Sequence, residues 1–157
     1  MDSKYEALLK SKMSDESYAK LVALENKRLF DFIGEYIELC DPDTVFFADD
    51  SDEDAEFIRQ RAKELGEEKQ LAKPGQTVHY DGYFDQARDK SNTKFLVTKE
   101  GMEQMGNLNC VEFEEGTAEI RDIANGIMRG KEAIVKLFTE APPMSPFTIA
   151  CAQSSDC

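Results

Sequence analysis

Cys40-Asp41-Pro42-Asp43-Thr44-Val45-Phe46-Phe47-Ala48-Asp49-Asp50-Ser51 is the stretch on which the fold turns. Pro42 forbids helical geometry at its predecessor, so the element before it must stop near Cys40. Thr44 to Phe47 is a short, unbroken run of β-branched and aromatic residues, the pattern of a strand covered on both faces. Ser51, with Asp54 three residues on, has the form of a helix cap, and Asp52, Glu53 and Asp54 crowd a first turn where the helix dipole favours negative charge. Helix, buried strand and helix in succession make an α/β layer.

Working outward, Ser14-Asp15-Glu16 opens a predicted helix that runs to Cys40. Tyr18, Leu21, Val22, Leu29, Phe32, Ile33, Tyr36 and Ile37 recur at spacings of 3, 4 and 7 as its apolar stripe. After Ser51, the residues Phe57, Ile58, Ala62 and Leu65 form the inner face of the next helix, which Gly66 ends. Residues 69–83 read as irregular, with turn signals at Pro74-Gly75 and Asp81-Gly82. A strand follows at 94–98, a loop at 102–109, and a helix at 117–129 with Ile120, Ile123, Ala124, Ile127 and Met128 inward. Gly130 breaks that helix, and strands follow at 133–138 and 147–152. The expected fold is α/β, a mixed sheet with flanking helices. By length it is a single domain over 1–157, with 1–40 as a helical lead-in.

The charge balance narrows the function classes. Nineteen basic against 32 acidic residues give a net charge of −13, which repels phosphate backbones and anionic lipid. No nucleic acid and no membrane surface are therefore expected as partners. There is no apolar run of about 18 residues to cross a bilayer, and the charged N-terminus does not read as a secretion signal. Cys40, Cys110, Cys151 and Cys157 match neither zinc-knuckle nor Cys-x-x-Cys spacing, which suggests reduced thiols and a cytoplasmic protein.

Several residues invite a chemical reading. Arg88, in Gln86-Ala87-Arg88-Asp89-Lys90-Ser91-Asn92-Thr93, sits on a polar loop ahead of a strand. Its planar guanidinium suits bidentate capture of a carboxylate, although from spacing alone pairing with Asp85 or Asp89 on the surface is the favoured reading, exposed Arg–Asp pairs being commonplace. Asp50, Asp52 and Asp54 imitate the start of a calcium loop, but Ala55 stands where glycine is required and Arg61 where the bidentate glutamate belongs. Gly126-Ile127-Met128-Arg129-Gly130-Lys131 has three residues between its glycines where a phosphate cradle needs four, and Glu132 where Ser or Thr should follow the lysine. It reads as a helix-ending turn. His79 has no cysteine beside it in sequence and reads as a turn residue, and Ser145, between Pro143 and Pro146, as scaffold.

Ala87-Arg88 with Ser91 and Thr93, then Gly126-Ile127-Met128-Arg129-Gly130-Lys131, then Ser145-Pro146 and Ser155-Asp156, resemble in order and spacing the N-terminal part of GTP-dependent phosphoenolpyruvate carboxykinase. The resemblance is loose over 44–65, good over 83–98 and best over 125–156, with a departure at Lys90, where animal members carry an acidic residue. It implies the fold of that enzyme's N-terminal domain and assigns Arg88 to the substrate carboxylates. It implies the conversion of oxaloacetate and GTP to phosphoenolpyruvate, carbon dioxide and GDP, a lyase reaction of gluconeogenesis. GTP and a divalent metal, manganese or magnesium, would bind outside this chain, which would hold no catalytic residue, cofactor ligand or metal ligand of its own. The chain would then be a fragment, inactive alone, whose partners are oxaloacetate or phosphoenolpyruvate and the C-terminal remainder of the enzyme. Self-association of the fragment is a further possibility. Two alternatives stand beside this: a stand-alone acidic α/β interaction module, which would cover its own last strand, and a relative using another phosphoryl donor such as pyrophosphate.

Overall fold

The computed structural model describes residues 3–80, 92–142 and 144–156. In chain order the elements are α1 (Glu6–Lys12), α2 (Asp15–Ala23), α3 (Lys27–Cys40), β1 (Thr44–Ala48), α4 (Asp52–Glu64), β2 (Lys69–Gln70), β3 (Thr77–Val78), β4 (Phe95–Val97), α5 (Lys99–Met102), β5 (Cys110–Glu112), α6 (Phe113–Ala124), β6 (Glu132–Glu140) and β7 (Ile149–Asp156). Length alone suggests one domain, whereas by contacts the chain falls into two compact units, Met1–Val78 with Gly126–Cys157, and His79–Asn125.

The first unit is built on a mixed sheet in the order β1-β6-β7. β1 runs parallel to β6, with Thr44 opposite Glu132 and Ala48 opposite Lys136. β7 returns antiparallel along the whole of β6, from Ala133 opposite Asp156 to Glu140 opposite Ile149. Successive side chains of β1 leave opposite faces of the sheet. Val45 and Phe47 enter a core with Tyr5, Leu9, Met13, Leu21, Phe30, Ile33, Ile37, Ala133 and Val135. Phe46 turns the other way and lies on Phe57 of α4, ring centroids 4.2 Å apart. Helices therefore cover both faces of β1, as its unbroken apolar run requires.

The single helix expected over 14–40 is two. Glu25 has φ of 48°, which breaks the ladder, and the side chain of Asn26 accepts from Leu29 N–H to start α3. The stripe is also narrower than its spacing implied. Leu21, Ile33 and Ile37 are buried, but Phe32 and Tyr36 lie 47% and 39% exposed, their rings tilted against each other at 56° with centroids 4.8 Å apart. α1 packs on α3 at Gly34, where an added Cβ would come within 2.4 Å of Tyr5. The cap of α4 is as read: Ser51 Oγ accepts from Asp54 N–H at 3.2 Å.

The second unit pairs β4 with β5 in parallel, Phe95 opposite Cys110 and Val97 opposite Glu112, under α6. That helix starts four residues earlier than expected, at Phe113, capped by the Glu112 side chain, and Ile120 and Ile123 are exposed rather than inward. Gly116 makes the close contact instead, its position lying against Leu96 and Val111. Gly116, Ile120 and Ile123 fall on one side of the helix. Three-residue strands span only about 10 Å, so twelve helical residues, about 18 Å long, outrun them.

Candidate functional site

Arg88 and the segment 81–91 around it lie outside the described residues. The chain that follows is fixed to β5: Asn109 Nδ2 donates to the Thr93 carbonyl at 3.1 Å, and Phe95 N–H donates to the Asn109 carbonyl at 2.9 Å. His79, just ahead of the segment, is exposed.

The glycine-rich turn at 126–131 closes the end of α3. The last carbonyls of a helix lack internal partners. Here Gly126 N–H donates to Leu39 O at 2.8 Å and Met128 N–H to Cys40 O at 2.9 Å. Asp41, at φ 52°, is gripped from two sides, by Lys12 Nζ at 3.0 Å and Arg129 Nε at 3.0 Å. These two cations hold its carboxyl below the ordinary carboxylate range. Gly126 and Gly130 both have positive φ, and a Cβ on Gly126 would strike the Arg129 guanidinium at 2.6 Å. Two of the turn's amides are thus committed to the helix end, Gly130 N–H donates to Asp43 Oδ1, and Arg129 and Lys131 N–H bond within the turn, which leaves these five unavailable to a phosphate.

The acidic run at 49–54 is likewise absorbed into the fold. Asp54 is 6% exposed; its carboxylate takes Lys20 Nζ at 2.7 and 2.9 Å and the Asp49 N–H at 2.8 Å. Asp49 also contacts Lys20, at 3.2 Å. Beside them Ser17 Oγ, buried, accepts from Phe47 N–H. Among the described residues no three His, Cys, Asp or Glu side chains could hold a metal. Ser145 serves the β6–β7 connection, its Oγ accepting from Phe147 N–H and its carbonyl from Thr148 N–H. Cys40, Cys110 and Cys151 are free and half-buried, and burial pushes the Cys40 thiol up.

Sequence reasoning missed a groove. β1 accompanies β6 only to Lys136, so 137–140 and 149–152 project as a two-stranded ribbon. Leu137, Phe138, Phe147 and Ile149 on and beside it are 40%, 40%, 80% and 59% exposed. Between the ribbon and the start of α3 lies a trough of about 520 Å³, walled chiefly by Leu29, Phe32, Leu137, Phe138 and Ala152, with Arg28 at its polar margin and Cys151 along it. The spacing of the apolar stripe reads Phe32 as core, whereas the structure places it on the wall of this trough.

A mixed sheet clad by helices, a turn of glycines spent on a helix end, and a ribbon left bare define an α/β domain with one apolar surface exposed. Residues 31–157 match the family described as phosphoenolpyruvate carboxykinase N-terminal domain, and the chain belongs to that family. It is 47% identical over 148 residues to the phosphoenolpyruvate carboxykinase (GTP) of Pyrococcus horikoshii, covering 94% of this chain and 24% of that protein. The Thermococcus sibiricus protein of the same name is 46% identical over 151 residues, 96% of this chain and 24% of its own. That of Saccharolobus solfataricus is 34% identical over 141 residues, 90% of this chain and 23% of its own. The chain thus spans about a quarter of the length of these curated relatives.

Proposed function

We propose that the chain is the N-terminal portion of a GTP-dependent phosphoenolpyruvate carboxykinase and supplies, through Arg88, the cation that binds the substrate's carboxylates. The identity to proteins of that name along nearly the whole chain carries this reading. In the reaction, the bond from oxaloacetate's C3 to its terminal carboxylate breaks and carbon dioxide leaves. The electron pair becomes an enolate, whose oxygen takes the γ-phosphoryl group of GTP to give phosphoenolpyruvate and GDP. A divalent metal supplies charge stabilisation in phosphoryl transfer of this kind. The metal's ligands and the nucleotide site would belong to the rest of the enzyme. Arg88 would orient the dianion by paired hydrogen bonds, which a guanidinium's geometry favours.

The bare ribbon favours this reading over a stand-alone module, which would cover its own last strand. Two strands with exposed apolar side chains are marginal in water without a further layer. The relatives, each a phosphoenolpyruvate carboxykinase (GTP), favour GTP over pyrophosphate as donor. The test is an assay of the 157-residue chain beside a polypeptide extended to the relatives' length, with oxaloacetate and GTP. Turnover by the extended protein and none by the chain is the expected result. Turnover by the chain alone would overturn the division of labour, and an inert extended protein would overturn the activity.

A further inference from the structure

We infer that the groove between α3 and the β6–β7 ribbon receives an apolar segment of the same longer polypeptide carrying an acidic side chain, which pairs with Arg28. The inference rests on the reading of the chain as part of a longer enzyme. Its physical basis is a charge in the wrong place. A helix N-terminus is the positive end of the helix dipole and favours carboxylates. The two helices on either side of α3 comply, α2 opening with Asp15 and Glu16 and α4 with Asp52, Glu53 and Asp54. α3 opens with Lys27 and Arg28 and has no acidic residue in its first turn. Lys27 is answered by Asp31. The Arg28 side chain makes no ion pair or hydrogen bond with any described residue: Asp31 and Glu35 line a pocket with it, but Asp31 is taken by Lys27 and Ser3.

Beside that cation lies the trough of Leu29, Phe32, Leu137, Phe138 and Ala152. Apolar walls with one charged residue, the unpaired cation Arg28, among their lining are complementary to a segment that is apolar along its length and acidic at one point. A second copy of this chain fits less well, because each copy brings a net charge of −13 and like charges oppose association.

Cys151 lies along the groove and reports on its cover, since a thiol reacts with maleimide only where solvent reaches it. The experiment compares N-ethylmaleimide labelling of Cys151, resolved by peptide mass spectrometry, in the 157-residue chain and in the protein extended to the relatives' length. Labelling about tenfold slower in the extended protein is expected, with Arg28→Glu recovering most of the lost rate and Arg28→Lys little of it. Equal rates in the two proteins overturn the inference. So does protection that survives Arg28→Glu, which would make the cover apolar only. Protection already present in the short chain, with a dimer in sedimentation, would give the groove to a second copy and overturn it as well. Carboxykinase turnover, read on the same extended protein, separates the two ideas: turnover without protection sinks the groove alone, and protection without turnover sinks the activity alone.

Discussion

Lys20 Nζ stands 2.7 Å from Asp54 Oδ2 and joins the last turn of α2 to the first turn of α4, across the end of β1. Asp54 is buried and also holds the Asp49 N–H, so its carboxylate organises the turn by which the strand becomes a helix. Asp54→Asn would leave Lys20 with weaker partners and exchange one acceptor oxygen for a donor facing donors. A loss of about 2–3 kcal/mol in urea unfolding is expected, as for a buried charged acceptor removed from its partners. A loss below about 0.5 kcal/mol, the level of an exposed pair, would mean that Lys20 re-pairs with Asp49 and that Asp54 is dispensable.

Asp49 gives the same junction a pH dependence. The Ser51 hydroxyl and amide N–H, and then Lys20, hold its carboxyl well below the ordinary range. The folded value lies under the unfolded one of about 3.9, so the stabilisation is complete above about pH 5 and disappears as pH falls through the folded value. Wild type and Asp49→Asn should therefore differ most in urea midpoint near neutrality; the gap should begin to shrink below about pH 5, as the carboxyl protonates in the unfolded chain, and close only below the depressed folded value. A gap that widens on acidification would have the wrong sign for this account.

Two glycines separate crowding from backbone strain. At Gly34 the obstacle is Tyr5, 2.4 Å from an added Cβ, and Gly34→Ala must push α1 off α3 at about 1–3 kcal/mol. At Gly130 nothing lies within 4 Å, but φ is 78°, so Gly130→Ala should lose about 1 kcal/mol through conformation alone. Tyr5→Ala should relieve part of the first loss and none of the second, measured as a double-mutant cycle on thermal unfolding. Equal behaviour at the two sites would contradict the distinction.

The parts of the fold that were legible are those fixed by neighbours in sequence. Pro42, the run Thr44 to Phe47 and the Ser51 cap gave β1 and α4 because each acts within a few residues. The break at Glu25 was hidden by an apolar stripe that continues in phase across it, and only Asn26, a good cap residue, marked it. β5 escaped notice because a three-residue parallel strand owes its existence to a distant partner. The same limit applied to the site: the 126–131 turn could be denied a phosphate from its spacing, but its partners Leu39 and Cys40 lie 87 and 88 residues away in the chain from Gly126 and Met128. Arg28 carried no motif at all; it became informative only when its side chain was seen to make no ion pair with any described carboxylate, Asp31 being held by Lys27 and Ser3.

Arg88 bears the functional reading, and its test belongs to the extended protein. A charge-assisted, bidentate contact to a substrate carboxylate is worth about 1.5–3 kcal/mol. Arg88→Ala should then lower kcat/KM for oxaloacetate by about 10- to 100-fold. If the guanidinium only holds the dianion, KM rises and kcat stays; if it also steadies charge that develops on the enolate, kcat falls with kcat/KM. Arg88→Lys keeps the charge but loses the fork, and should recover only part of the loss. Circular dichroism of Arg88→Ala should match wild type, which excludes unfolding as the cause. Unchanged kinetics in both variants would move the role to another cation, and Arg88 would revert to a surface partner of Asp85 or Asp89.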